Sequence, residues 1–564
     1  MRKTWASFAT AALVLASCGP ALAAYDAGEV AGFGSYSGPD GGRAILLEQG
    51  FVVTDETYRQ ICSFYIQQYG PAFITTDALL YAYYTNVEDA MLALEKRQGL
   101  KLAGIIQGLK RQLKAFRDGD DDSLKTMSKE RKISRDWFKA ADALGDYFDV
   151  ADTLITGKTA PKDLEKMSPA VREEIKLILA AAGPAQSPTR GIPLDYSRFA
   201  PYGFYEDDKA LAGYYRALTW FREVPFRVED ENEARQMMIL FEVESRNTWD
   251  RYGGDYSNSV LRFNLPYTDA LGPSDDVDFD SIDFHNVALN FHFGLSASDE
   301  DKWARAWRRI KEIPAPEYTT IPDPAAVADP AAYRGLRLLA RPALADNAVF
   351  KALAPYGLAR PVPSGEELMA VMGSAAAREI VFEREGAATP GYAKLFGEAG
   401  VALDGAEKEL DAHFRDRQGY FRTYDYNLEG MRLELCRSLL AKPDDPTLPD
   451  YYLNPAWRYK DLNTCLAGWA HHRYIWAAHA KKSVYYLGVK DWPPGVIEPN
   501  VRFFDALLDL SVHTDGFFRR HGIDHKRFAE LNALLADLRA ILAKQLAGEE
   551  LNGEENWILS NFGF

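Results

Sequence analysis

TTDALLYAYYTNVEDAMLALE, residues Thr75–Glu95, decides the fold. Leu79, Leu80, Tyr83, Val87, Met91 and Leu94 fall on one face at the 3.6-residue period of a helix. Thr75 or Thr76 can cap its start, because a hydroxyl there accepts from a free backbone N–H. Outward from this stretch the same period returns. Between Asp524 and Leu546 the stripe is Phe528, Leu531, Leu535, Leu538 and Leu542, with Asp524 placed to cap it and Gly548 to stop it. Ser364-Gly365-Glu366-Glu367 reads as a capping box before the apolar run Leu368 to Met372. Ser168 followed by Pro169 marks a further helix start. Strand-like alternation is confined to Gly50–Thr54 and Val260–Pro266. The expectation is an all-α, large multi-helix globular protein with long Pro/Gly-rich loops and minimal strand, toroid-like closure being one form it can take.

The breakers divide the chain. Pro314, Pro316, Pro322, Pro324 and Pro330 form the densest cluster, and residues 184–206 and 443–455 are also rich in turn formers. The expected organisation is a leader at 1–23, a flexible linker at 24–45, an N-terminal helical half at 46–312 and a C-terminal helical half at 335–564. In the leader, Arg2 and Lys3 precede an apolar run from Trp5 to Ala16, the layout of a secretory signal peptide. That run falls well short of the ~20 residues a membrane span needs. Leu15-Ala16-Ser17-Cys18 has the form of a lipobox, which would make Cys18 an acylated first residue. Ala21-Leu22-Ala23 offers instead a cleavage site before Ala24. Both routes predict an extracytoplasmic protein, in the periplasm or as an outer-membrane lipoprotein, and Gly19 after Cys18 favours the outer membrane. No transmembrane helix is expected in the mature chain.

Hydrophobic residues make up 47% of the chain, so it can bury a large core. The net charge of −16 repels phosphate backbones and argues against a nucleic-acid partner. Thirty Phe, thirty Tyr and eleven Trp supply amphipathic rings that suit sugar or peptide surfaces and equally fill helical seams. Of the four cysteines, Cys436 and Cys465 lie on neighbouring helical segments, either as a disulfide or as small buried apolar residues. Neither a Gly-rich phosphate loop, a G-x-S-x-G elbow nor a dinucleotide fingerprint occurs.

Several blocks resemble a known family. They are Gly50-Phe51-Val52-Val53, Phe73 to Leu80, Asp195 to Tyr205, Tyr214 to Trp220 and Leu271 to Asp276. Fainter matches are Arg341 with Asp346, and Pro363-Ser364-Gly365 with Met369 to Ser374. The last block is Trp457, Lys460, Leu462-Asn463-Thr464, Trp469, Arg473 and Lys481, followed by Glu498-Pro499. In this order they are similar to a bacterial exported family known only as domain of unknown function 3160. The resemblance implies an exported, mainly helical protein and carries no established activity. The chain departs from the family pattern at positions where histidine is usual, with Tyr81 and Tyr84 after Asp77, Tyr202-Gly203-Phe204, and Tyr474 after Arg473.

Asp77, Arg473 and Glu498 are the candidate catalytic residues. Glu498 before Pro499 and Asp77 in a first turn are placed by default to cap their own helices. An acid–base role would need a partner carboxyl or a pKa raised by burial. Arg473 can grip a carboxylate with its planar fork, stack on Trp469, or tie two helices as an ion pair. His472, Trp476 and His479 share a helix face, a pair of imidazoles too few for a zinc site. Thr76, Tyr205, Trp469 and His472 are the candidate ligand-binding residues. Asp276, Asp278 and Asp280 alternate as in a calcium loop, although Ser281 and Val287 break the EF-hand pattern. No cofactor is required, and calcium is the candidate cation. Convergence of Asp77, Tyr205, Arg473 and Glu498 would define one site. Two readings follow. One is an exported cell-envelope protein that binds or scaffolds a partner or polymer, and the other is a helical hydrolase or lyase acting on an extracytoplasmic polysaccharide or peptide.

Overall fold

The Thr75–Glu95 stripe does not stop at Glu95. Leu102, Ile105, Ile106, Leu109 and Leu113 continue it, and the helix runs for 39 residues, Thr76–Lys114 (α1), about 58 Å at 1.5 Å per residue. This is a computed structural model, and it describes residues 25–26, 41–53, 65, 73–119, 123–131, 133–248, 260–272, 282–291, 296–313, 335–339, 344–353, 363–383, 391–418, 427–441, 445–477, 496–560 and 562.

Two residues ahead of α1 is the two-residue strand β1, Phe73–Ile74. After α1, the elements that position the functional residues are α2 Arg135–Thr156, α3 Lys209–Glu223, β2 Phe226–Arg227, α4 Glu231–Thr248 and α5 Val260–Leu271. Beyond them come β3 Gly335–Leu336, α6 Asn347–Leu353, α7 Gly365–Val371, α8 Leu428–Leu440 and α9 Trp457–Ala477. The described chain closes with β4 Val496–Ile497, α10 Val501–Arg520, α11 Lys526–Ala547 and a final short helix Gly553–Ser560. The fold is all-α, with short strand pairs only. Helix α1 touches α2, α3, α4, α5, α9, α10 and α11, so it forms the axis around which the others pack.

Two of the strand pairs join distant parts of the chain. β1 pairs in parallel with β4, Phe73 beside Val496 and Ile74 beside Ile497. β2 pairs antiparallel with β3, and Gly335 is required there because a Cβ would lie 2.1 Å from the Phe226 carbonyl oxygen. Buried apolar residues form one contiguous core from Ile74 to Leu559, drawing on both sides of the proline-rich segment.

Some local expectations need correction. Val260–Pro266 is helical, within α5, because Val260, Phe263, Tyr267 and Ala270 bury at helical spacing. Pro266 removes one N–H from that helix, and the burial of its flanking residues offsets the loss. Gly50 to Val53 form no strand. Gly50 ends the helix Gly42–Gln49 in a left-handed turn, φ 78°, and Phe51 then packs edge-on against Trp457 at 4.7 Å. The strand pair Pro184–Gln186 with Pro193–Asp195 instead lies in a segment whose composition reads as loop. Asp524 does not cap α11: His525 holds the N-cap position, and Asp524 approaches Arg519 at 3.8 Å. Ser168 caps the helix Pro169–Ala180 as expected, and the Ser364 N–H donates to Glu367 Oε2 at 2.7 Å. Among the described residues no helix is long and apolar enough to cross a membrane.

Candidate functional site

Helices α1 and α9 lie side by side and run in the same direction, since Lys460 meets Thr76 and His471 meets Glu88. The contact is close because of Gly468, where an added Cβ would come within 2.4 Å of Leu80 Cδ2. Buried charge gathers at both ends of this seam.

At the first end, parallel pairing of β1 with β4 carries the next residue, Glu498, to the start of α1. Its N–H donates to the Ile74 carbonyl at 2.9 Å. Its carboxylate, fully buried, accepts from the Thr76 N–H at 2.8 Å and the Thr76 hydroxyl at 3.0 Å. Glu498 therefore caps α1, a helix that begins 422 residues earlier. Thr75 makes no side-chain cap, and the helix that follows Glu498 is capped by Asn500. The default reading of Glu498 as the cap of its own helix is corrected on that point.

Lys460 Nζ completes this end, 2.5 Å from Glu498 Oε2, 2.6 Å from Thr76 Oγ1, 3.6 Å from Asp77 and 3.9 Å from Asp461. Burial works against its charge, but the carboxylates of Glu498, Asp77 and Asp461 outweigh that and raise its pKa. Three carboxyl groups thus face one ammonium. Glu498 Oε1 and Asp461 Oδ1 are buried oxygens with no donor, which is costly unless a proton supplies one. Burial and then the neighbouring Glu498 push the Asp461 carboxyl up to about 8. A proton on Asp461 gives that carboxyl a donor of its own and removes one of the negative charges gathered around Lys460. The end is not sealed: the Asp77 side chain is 45% exposed.

At the second end, Asp346 is fully buried just ahead of α6. It accepts from Trp469 Nε1 at 2.7 Å and Arg473 Nη1 at 2.8 Å, and Arg473 Nη2 reaches Asn347 Oδ1 at 2.8 Å. The Arg473 guanidinium also lies over the rings of Trp469 and Phe350, 5.6 and 5.3 Å from their centroids. Beneath it Arg432 grips Glu429 through Nε and Nη2 at 2.8 and 2.7 Å, the bidentate geometry of a strong pair. Burial favours the neutral acid, yet Arg432 outweighs it and holds the Glu429 carboxyl well below the usual carboxylate range. His472 Nε2 lies 3.2 Å from Glu429, and burial lowers its pKa in spite of that neighbour. Two arginines balance two carboxylates here. Arg432 Nη1 has no acceptor and borders a small pocket with Tyr83, Tyr84, His472, Trp476 and Thr514, with room for roughly one water.

Beside the arginine end the seam reaches the surface. Tyr81, 41% exposed, has its ring 6.3 Å from that of His471, which also lies 5.2 Å from the Tyr84 ring, and Tyr474, 36% exposed, follows His471 by three residues on α9.

The four residues expected to converge do not share one hollow. Asp77 and Glu498 meet at Lys460, together with Thr76. Arg473, Trp469 and His472 meet at the other end, about 20 Å along α9. Tyr205 belongs to a third cluster, donating to the buried Glu95 at 2.8 Å beside Tyr267 at 2.5 Å. Burial raises the Glu95 pKa against those hydrogen bonds. Glu95, Glu429, Arg432 and Asp461 were not singled out by sequence. A local signal existed for two of them, since Glu429 and Arg432 stand three apart on one helix, the spacing of an ion pair. Asp276, Asp278, Asp280, Cys18, Cys62, Arg341, His479 and Lys481 lie outside the described residues. Cys436 and Cys465 are free and buried.

No curated protein and no solved structure matches the chain. One family model does, over residues 40–564, so the chain belongs to the family described as protein of unknown function DUF3160.

Proposed function

We propose that this is an exported cell-envelope protein that binds or scaffolds a partner or polymer outside the cytoplasm, using the outer face of the α1–α9 seam. One observation carries the reading: Tyr81 on α1 and Tyr474 on α9 are both exposed, Tyr81 with its ring beside that of His471, over a seam held from beneath by buried ion pairs. Tyrosine faces bind sugar rings and peptides at low entropic cost, with the hydroxyl left for water or ligand. Burial of the charges beneath makes that ledge rigid, which favours recognition. The acyl anchor at Cys18 and calcium at Asp276, Asp278 and Asp280 belong to the same proposal.

Co-sedimentation with isolated, insoluble cell-wall polymer tests the binding role. Tyr81→Ala with Tyr474→Ala is expected to lower retention at least about tenfold, a loss of ~1.4 kcal/mol, with thermal unfolding unchanged. Equal retention would contradict it. Mass spectrometry of the cell-derived protein tests export, which predicts an acylated Cys18 or an N-terminal Ala24. A chain retaining Met1 would overturn that part.

A second reading, a hydrolase or lyase on an extracytoplasmic polysaccharide or peptide, draws on a different observation. Asp461 keeps its proton up to about 8 beside Lys460 and Glu498, as a general acid at neutral pH must. Asp461→Asn would then abolish product release from that polymer while leaving retention intact. Unchanged turnover, or none in the parent protein, would refute this reading.

A further inference from the structure

Three sulfur atoms from three helices meet in the core beside the arginine end of the seam. They belong to Met369 on α7, Cys436 on α8 and Cys465 on α9, all buried. Cys465 Sγ lies 3.2 Å from Met369 Sδ and 3.9 Å from the backbone carbonyl oxygen of Cys436, which brings the two cysteines together. We propose that these three side chains form a binding site for a soft monovalent metal ion, copper(I) or its analogue silver(I).

The ligand class follows from the donors. Thiolate and thioether sulfur select soft ions, whereas calcium and magnesium require oxygen. Charge is suited as well. Binding replaces two thiol protons, which leave to solvent, so one monovalent cation with two thiolates and a neutral thioether carries a single negative charge. The metal keeps its oxidation state, so neither oxidant nor reductant is consumed. Arg432 stands one turn before Cys436 on α8, near enough to interact with its sulfur, and its Nη1 has no acceptor. That guanidinium and the Cys465 S–H lower the Cys436 pKa, with the Cys465 contribution the larger. Glu429 and Asp346 also face Arg432, at 2.7 and 3.7 Å, and oppose negative charge on Cys436, so what Arg432 still offers is the donor Nη1. Metal–sulfur bonds of about 2.3 Å in a trigonal plane place sulfurs about 4 Å apart. Cys465 and Met369 would therefore separate by about 0.8 Å on loading. Because the site is buried, the ion enters during folding or through local opening.

The test uses the reduced full chain carrying Cys18→Ser and Cys62→Ser. Silver(I), or copper(I) under a competing chelator, is added either to folded protein or during refolding from denaturant. One equivalent is expected to survive gel filtration in at least one procedure, with a thiolate-to-metal charge-transfer band and a raised Tm. Cys465→Ser should abolish retention. Met369→Leu, which conserves volume, should weaken it by at least about tenfold. Protein that stays metal-free in both procedures, or retention indifferent to both substitutions, would overturn the site. So would recovery of a Cys436–Cys465 disulfide from the exported chain.

Discussion

The two ends of the α1–α9 seam are built from the same parts and behave differently. At the arginine end Arg432 and Arg473 meet Glu429 and Asp346, and every charge has its opposite. At the acid end one lysine faces Asp77, Asp461 and Glu498, so a proton on Asp461 leaves the buried Glu498 opposite Lys460 and the remaining charge on Asp77, whose side chain is 45% exposed. The contrast is between a lock insensitive to pH near neutrality and a lock that depends on it. Guanidinium never loses its charge in this range, and its fork satisfies two acceptors at once. A lysine among three carboxyls leaves the balance to a titratable group.

Removing the arginine charge should have the largest effect. Arg432→Met strips the arginine counterion from the fully buried Glu429 and leaves Asp346 to Arg473 alone. It is expected to cost about 3–5 kcal/mol in urea unfolding, with little change between pH 6 and 8. Glu498→Ala breaks the acid end in the same way, leaving Lys460 and the Thr76 N–H without their acceptor. A similar loss of ~3–5 kcal/mol is expected. If it costs under about 1 kcal/mol, the value of an exposed pair, the acid end is not a structural lock.

The pH dependence sharpens the comparison. Asp461 has its pKa raised in the folded state, so its proton stabilises the fold below about pH 4, and that contribution is lost as pH rises towards about 8. The groups that face it are Glu498 and Lys460, the Trp457 indole, Tyr452 and Cys465. Stability should fall across this window by up to ~1.4 kcal/mol per pH unit, and Asp461→Asn should flatten the profile. A wild-type profile that rises instead would break the contrast. Smaller still, Gly468→Ala should cost about 1–3 kcal/mol by forcing α9 from α1 at Leu80. Asp77→Asn, at the exposed rim, should cost no more than about 1 kcal/mol.

Much of this was legible in the sequence, and unevenly. The Thr75–Glu95 period gave the axis of the fold because a buried helix face repeats regardless of its partners. Trp469 and Arg473, one turn apart on a helix, could be read as a stacked pair, and the structure adds Asp346 as their anchor. Glu498 was visible as a carboxylate at a helix start, but the helix it caps is α1, and no local pattern reports a cap across 422 residues. Asp461 was hidden for a related reason. Beside Lys460 in sequence it looks like a solvated pair, and only burial against Glu498 turns it into a held acid. Tyr205 read as a ligand residue because nothing local points to Glu95, its partner across α1.

The difference between the two ends rests on where one proton resides. Infrared difference spectroscopy can see it as the carbonyl stretch of a buried, protonated carboxyl. The account predicts that this band is present near pH 6, disappears with a midpoint of about 8 and is missing from Asp461→Asn. A wild-type protein with no such band titrating near 8, or one whose band titrating near 8 survives Asp461→Asn, would contradict it.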